Sequence, residues 1–437
     1  MRLRSRRSLS PDSVTASCLA VMIGACIFLQ RMAVPLSETA QVPAAFVVGY
    51  GVFLILLFRS RLVIDTSVTA LFFVAMSVMT VSVVVSDATS SLSSFTYLLS
   101  IYVLYLFRLK YARGAFQYAL NIFLKLMLFC ALLGIAQFLL QFVVGWETVF
   151  PLDTYLPSNF LLVNYNTIIP LEYESEVMKA NGVFFLEPSF FSQFLGLAVL
   201  IETFGKRRPI RLAIYGVAIM MSYSGTGLML VALFLPWIIL KRGNAGVLIA
   251  GAAIALVVAL AGGALDLSAL TNRVGEFGST ESSGFARFIS PYLLMRDFVI
   301  QSPSALLFGL GSGAIDKVMA DAFLPYLAHD PTWIKVALEY GVPALALFMS
   351  FVAMAIFHGT RNKVLSWAVF CFYLFLGGYL LNGALHCLFV ALTAWHNRPV
   401  YARRTAFARH RRRLQPIHRR AVRRPASLST DIRRASA

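Results

Sequence analysis

Apolar runs of about a membrane's thickness alternate with short basic clusters along most of the chain. They occupy residues 14–34, 40–58, 62–86, 92–107, 115–145, 189–204, 212–240, 245–265, 342–357 and 364–395. A helix rises 1.5 Å per residue and a bilayer's hydrocarbon core is about 30 Å thick, so about 20 apolar residues cross it. The pattern predicts an all-α, polytopic membrane protein. The interruptions are Arg2/Arg4/Arg6/Arg7, Arg59/Arg61, Arg108/Lys110/Arg113, Lys206/Arg207/Arg208/Arg211, Lys241/Arg242, Arg361/Lys363 and the tail from Arg398. Lysine and arginine concentrate on the cytoplasmic side of spans. With every cluster cytoplasmic, each interval between them holds an even number of spans.

Two runs test that rule. As one helix, residues 212–240 would be about 43 Å long, too long for one comfortable span and short for two. Both flanks are basic, so the reading is two short helices turning at "SYSGTG" (222–227), with one tilted helix as the alternative. Residues 364–395 repeat the situation, with a break at "GGYLLNG" (377–383). The expected architecture has about twelve transmembrane helices, both termini cytoplasmic, and two large extracytoplasmic loops at about 146–188 and 266–331. Residues 1–397 then form the membrane domain. Residues 398–437 form a basic cytoplasmic tail with thirteen arginines against one acidic residue, Asp431. Such a segment buries no core and is expected to be disordered. Membrane lipid is its first expected partner, through anionic head groups, and a protein is the second.

Composition agrees with this layout. Of 437 residues, 59% are hydrophobic and only 13% charged, where a soluble chain carries about a quarter charged. The net charge of +18 lies beside apolar runs, which makes it a topology signal and argues against a nucleic-acid partner. The "MRLRSRR" start followed by an apolar run imitates a signal peptide, but the run continues past "IGAC", so an uncleaved first span is expected. The five cysteines (Cys18, Cys26, Cys130, Cys371, Cys387) lie in apolar runs without a CxxC pair, so neither a disulfide framework nor a zinc site is indicated.

Residues able to carry chemistry are few. The sequence has no Walker loop, HExxH, GxSxG or paired-aspartate metal motif, and no cofactor or metal is expected. "GLGSG" (309–313) lacks the context of a phosphate cradle and reads as a flexible turn. Lys125, Glu202 and Asp65 are the main charges within or near spans. In "HDPTWIKVALEYG", Asp330 fits a helix N-cap, Pro331 the first helical position and Gly341 the stop, predicting a helix over 331–340 with Trp333, Val336 and Tyr340 on one face. His329 then sits at the positive end of that helix, which disfavours the imidazolium while Asp330 favours it. It is the candidate catalytic base. Arg273, Arg287 and Arg296 in the same loop and Lys179 in the other are candidate ligands for phosphate oxygens, or else surface charges. Glu187 precedes Pro188 at another helix start, where it caps the helix or meets a sugar hydroxyl.

Four segments together resemble the Wzy-type polysaccharide polymerase and O-antigen ligase superfamily. "KANGVFFLEPSFFSQ" is similar to its R-x-x-G-x-F-x-E-P-S/N segment, and "SYSGTG" to its S-x-S-R-T-G hairpin. "ARFISPYLLMRDFVIQSPSALLFGLGSG" resembles its Arg-led loop ending in P-x-x-G-x-G, and "HDPTWIKVALEYGVPALALF" its H-N-x-x-L-x-x-x-x-E-x-G-x-x-G segment. The match covers about residues 179–348, and within the superfamily the chain looks most like the xanthan polymerases. Lys179 stands where arginine is usual, Asp330 replaces asparagine, and Gly225 occupies the hairpin's arginine position, which removes that cation.

The resemblance implies a metal-independent glycosyltransferase of the bacterial inner membrane with its active site facing the periplasm. It would move a growing exopolysaccharide from undecaprenyl pyrophosphate to a new lipid-linked repeat unit. His329 would be the base. Arg287 and Lys179 would be the first pyrophosphate ligands, Arg273 and Arg296 reserves, and Glu187 and Asp330 further substrate contacts. The undecaprenyl-pyrophosphate-linked oligosaccharide is the main implied partner, with a chain-length regulator and export proteins as candidates. A ligase-like transferase with another acceptor and a polysaccharide or lipid transporter are the alternatives. The transporter predicts repeats around a midplane site, whereas the charged residues here cluster in loops.

The topology is open to a direct test. Reporters active only outside the cytoplasm should signal when fused near Tyr165 and Ser283, and stay silent at Lys110, Arg361 and Arg411. A stable but silent Ser283 fusion would put His329 on the wrong side.

Overall fold

Polar side chains mark where the apolar helices start. Asp12 accepts the Thr15 N–H at 2.8 Å, Asp65 that of Val68 at 3.3 Å, and Ser91 that of Ser94 at 3.3 Å. Asn362 takes Val364 and Leu365 at 3.1 and 3.2 Å, and Asn382 takes Leu385 at 3.0 Å. Each satisfies a donor that the first turn leaves open. The computed structural model describes residues 12–35, 41–86, 90–110, 114–163, 165–171, 175–240, 283–315, 317–318, 329–360 and 362–396. The tail 398–437, the apolar run 245–265 and Arg273 therefore lie outside the described residues.

Helices dominate the described residues. Thr66–Val85, Ala115–Val144 and Thr332–Gly359 are both long and apolar enough to cross a membrane. Among the described residues seven more apolar helices are shorter, including Ser13–Phe28, Ala44–Phe58, Pro188–Phe204 and Lys363–Phe375. The runs 212–240 and 364–395 are each broken where expected. The first becomes Pro209–Met221 and Gly225–Leu233, followed by Leu235–Leu240. The second becomes Lys363–Phe375 and Gly383–Phe389, the latter continued by a π-helical turn, Val390–Ala394.

Two short antiparallel ladders depart from the all-helical expectation. Ala33–Pro35 pairs with Gln41–Pro43, and Leu62–Ile64 with Phe107–Leu109. Hydropathy assigned most of the first three stretches to spans, because apolar content does not distinguish a span's last turn from a strand beside it, and Arg108 in the fourth to a basic cluster. The ladder anchored by Leu62 and Leu109 is reinforced by charge. Arg108, almost fully buried, bonds Asp65 at 3.0 Å and the Ala355 carbonyl at 3.1 Å, while His358 Nδ1 lies 2.8 Å from the same aspartate. This cluster fastens the Gly359 end of the Thr332–Gly359 helix, opposite the end next to His329.

The Thr332–Gly359 helix is itself interrupted at Gly341, whose φ of 82° and ψ of 171° lie outside the helical range. The predicted stop is thus present, and residues 342–359 resume the helix. The interruption frees carbonyls that need new donors. Leu310 and Gly311 donate their N–H groups to Leu338 and Glu339 at 2.8 and 3.0 Å, and the Ser82 hydroxyl donates to Tyr340 at 2.8 Å. The "GLGSG" segment is therefore a fixed cap on a broken helix, in place of the expected flexible turn. Glycines on both sides allow the approach: a Cβ on Gly309 would lie 2.5 Å from the Glu339 carbonyl oxygen, and one on Gly341 2.4 Å from that of Leu307.

A second close approach joins the SYSGTG turn to the Pro188–Phe204 helix. Gly227 N–H donates to Ser192 Oγ at 2.9 Å, Ser192 donates to the Ser224 carbonyl at 3.1 Å, and a Cβ on Gly227 would meet the Ser192 carbonyl oxygen at 2.1 Å. Two backbones leave no flexible side chain to yield. Gly227→Ala should cost about 1–3 kcal/mol by overpacking, whereas Gly225, with nothing within 4 Å of its virtual Cβ, should accept alanine. Thermal unfolding of the detergent-solubilised variants checks this. Equal midpoints for both would refute the packing.

Candidate functional site

Glu187 begins the site. Pro188 occupies the first helical position of Pro188–Phe204, where its missing N–H costs nothing and its fixed φ suits the helix. Glu187 is the N-cap residue with extended backbone, φ −148° and ψ 161°, but its carboxylate makes no capping bond. The expected cap is corrected here because stronger partners take the carboxylate. Ser189 Oγ donates to it at 2.8 Å, the Asn166 N–H at 3.4 Å, and the Arg287 guanidinium stands 3.6 Å away. Glu187 and Arg287 are 17% and 18% exposed, so the pair is partly desolvated yet reachable.

The segment leading to Glu187 hangs from the Ala115–Val144 helix by buried amides. Gln141 exchanges bonds with Met178, accepting its N–H at 2.7 Å and donating to its carbonyl at 3.1 Å. Gln137 accepts the N–H groups of Asn181 and Gly182 at 3.1 and 3.0 Å and donates to the Asn181 side chain at 3.0 Å. The neighbouring 146–171 stretch is pinned by a partly buried ion pair, Arg31 with Asp153, whose carboxylate accepts the Thr167 hydroxyl at 2.9 Å. An apolar-run reading passes over Gln137 and Gln141 as tolerated polar residues, although they hold the loop.

Arg287 lies on the short helix Ser283–Phe288, and its neighbour Ala286 accepts the His329 N–H at 2.7 Å. This backbone bond brings the histidine to the Arg287–Glu187 pair. The imidazole is open to solvent, yet its pKa falls below the ordinary 6.5. Crowding by protein is the main cause, the Arg287 charge adds to it, and Glu187 acts in the opposite sense. A neutral ring beside a guanidinium can accept a proton near neutrality. Tyr165 shares the electrostatics: burial first, then Glu187, push its phenol up to about 12.

The remaining predicted residues divide. The helix after His329 starts at Thr332 with Pro331 as N-cap, one residue later than expected, and no side-chain cap is present. Asp330 is buried at 7% exposure and does not cap; Thr332 bonds another segment instead, which fixes the helix start. Lys179 is half-buried on the same strand-like segment as Asn181, its N–H donating to the Ile169 carbonyl at 2.9 Å. Arg296 is 64% exposed and bonds its neighbour Asp297 at 2.6 Å. Of the four candidate cations, the described contacts bring Arg287 to His329 and Glu187. The sequence reading missed Asn166, Tyr165 and Ser189; Ser189 was visible inside the "EPS" motif. Among the described residues, no three histidine, cysteine or acidic side chains converge to hold a metal ion.

Residues 18–396 match the family model described as WcaD colanic acid polymerase. No curated protein and no solved structure matches the chain.

The electrostatics predict a signed response. Arg287→Gln removes a positive charge that disfavours the imidazolium, so the His329 pKa should rise toward its ordinary value. Carbethoxylation of His329, followed by mass spectrometry across pH in membranes, reads this directly, because only the neutral ring reacts. An unchanged or lower midpoint would show that Arg287 does not face the histidine.

Proposed function

The chain belongs to the WcaD colanic acid polymerase family, which makes it a membrane polysaccharide polymerase, and from that premise we propose a specific transfer. The donor is a growing exopolysaccharide on undecaprenyl pyrophosphate, and the acceptor is a hydroxyl of a new lipid-linked repeat unit at the periplasmic face of the inner membrane. The acceptor oxygen attacks the anomeric carbon, the carbon–oxygen bond to pyrophosphate breaks, and the hydroxyl proton passes to His329. The leaving group departs as a stabilised anion, so it needs charge compensation more than protonation. Arg287 supplies that compensation through its planar fork, with Lys179 as a second cation from the neighbouring segment. Glu187 orients Arg287 and is placed to accept a sugar hydroxyl. No metal takes part in this scheme.

One observation carries the reading. A histidine with a lowered pKa stands beside an arginine held 3.6 Å from a half-buried glutamate. The base and the anion-stabilising cation therefore occupy one small, accessible region, as glycosyl transfer from a pyrophosphate requires.

His329→Ala should reduce polymerisation by about 10²–10⁴-fold, the usual contribution of a general base, while single lipid-linked repeat units accumulate. His329→Gln should fail likewise, because an amide takes up no proton at neutral pH. Arg287→Lys should stay impaired because it keeps charge without the fork, whereas Lys179→Arg should be tolerated. Polymer length and lipid-linked intermediates in membranes, with and without excess chelator, measure all of these at matched protein level. Normal polymer from His329→Ala would reassign the base, and loss of activity with chelator alone would reject the metal-free scheme.

A further inference from the structure

The helix that follows His329 is held at its first residue by the break in the 364–395 run. Thr332 is fully buried, and both its N–H and its hydroxyl donate to the Gly377 carbonyl oxygen, at 3.2 and 3.1 Å. The hydroxyl oxygen also accepts the Tyr379 N–H at 3.1 Å. The fit is tight, since a Cβ on Gly378 would lie 2.9 Å from the Asp330 carbonyl oxygen.

Tyr379 continues the connection to the helix that Glu187 precedes. Its phenol donates to Gln193 on Pro188–Phe204, and its ring packs edge-on against Phe190 at 5.6 Å. Its carbonyl lies 2.9 Å from His386 Nε2, while Tyr105 bonds the opposite ring nitrogen at 2.8 Å. The His386 ring therefore donates from Nε2 and accepts the Tyr105 hydroxyl at Nδ1. The break is thus anchored from behind by a buried polar chain. It is fastened in front to both segments that carry the site.

We propose that Thr332, through its joint with Gly377 and Tyr379, is a positioning residue that sets His329 against Glu187. The inference rests on the reading of His329 as the base. The histidine's own N–H ties it to Ala286, and hence to Arg287; the joint ties it to the other member of the pair. One hydroxyl bridging two backbone groups is sensitive to a small change. Thr332→Val keeps the shape and removes the bridge, while Thr332→Ser retains it. Displacement of an acting group by about 1 Å can cost about a hundredfold in rate.

The test uses the full-length protein in membranes and two readouts. Carbethoxylation of His329 across pH reports its surroundings, which are Arg287, Glu187 and the adjacent Asp330, whether or not it is the base. Turnover of lipid-linked repeat units, resolved into kcat and KM, reports function. In Thr332→Val the His329 midpoint should move from the parental value, because the ring's burial and its distance to Glu187 both change, and kcat should fall at least about tenfold with KM little changed. Thr332→Ser should match the parent in both. Gly378→Ala pushes the joint from the other side and should repeat the Val result, so the test survives if Thr332→Val fails to accumulate. Parental titration in Thr332→Val or, if it is absent, in Gly378→Ala overturns the proposal, even if polymerisation is lost. A shifted midpoint with full turnover upholds the positioning and instead removes His329 as base.

Discussion

A peptide group without a hydrogen-bond partner is costly in hydrocarbon, several kcal/mol for each donor or acceptor. That constraint organises this protein. Its apolar runs are interrupted, and each interruption exposes backbone groups that only other segments of the chain can satisfy. At Gly341 the carbonyls of Leu338, Glu339 and Tyr340 are taken by Leu310, Gly311 and Ser82. At the SYSGTG turn, Ser192 serves the Ser224 carbonyl and the Gly227 N–H together. At the 377–383 break, Thr332 and His386 do the equivalent work. Each repair joins segments distant in sequence, so the tertiary structure follows largely from where the helices stop.

The same breaks explain why reactive side chains gather where they do. The middle of a helix pairs its own backbone groups, whereas a helix start leaves N–H donors open. Glu187 and His329 both stand just ahead of such starts, on segments tied to buried polar side chains. Arg287 enters from a short helix whose backbone carbonyl holds His329. The result is an imidazole, a guanidinium and a carboxylate brought to one place by backbone and side-chain bonds.

Much of this was legible in the sequence, for identifiable reasons. Run length against bilayer thickness located both hairpin breaks, and glycine with its following apolar run located the stop at Gly341. The pairing of Arg287 with Glu187, about a hundred positions apart, was not legible from spacing; the charge pattern put them in two separate outer loops, and the resemblance gave both as substrate contacts. Local capping rules misled at Glu187, because Ser189, Asn166 and Arg287 take its carboxylate, and at Asp330, because the bonds of Thr332 to Gly377 fix the helix start one residue later. Arg296 and Arg287 look alike in sequence, yet one bonds its neighbour Asp297 on the surface and the other reaches Glu187. The two strand ladders escaped because Ala33–Pro35, Gln41–Pro43 and Leu62–Ile64 merge with the apolar runs they adjoin, and Arg108 in Phe107–Leu109 reads as a cytoplasmic basic marker.

The Ala115–Val144 helix has 30 residues, a length of about 45 Å, against a hydrocarbon core of about 30 Å. Such an excess is accommodated by tilting or by overhang. Gln137 and Gln141 lie in its last two turns and carry Met178, Asn181 and Gly182 on their side chains. The stretch leading to Glu187 is therefore mounted on that helix. A thinner or thicker bilayer that changed the tilt would swing the carboxylate, making lipid chain length a physical input to the geometry of the site.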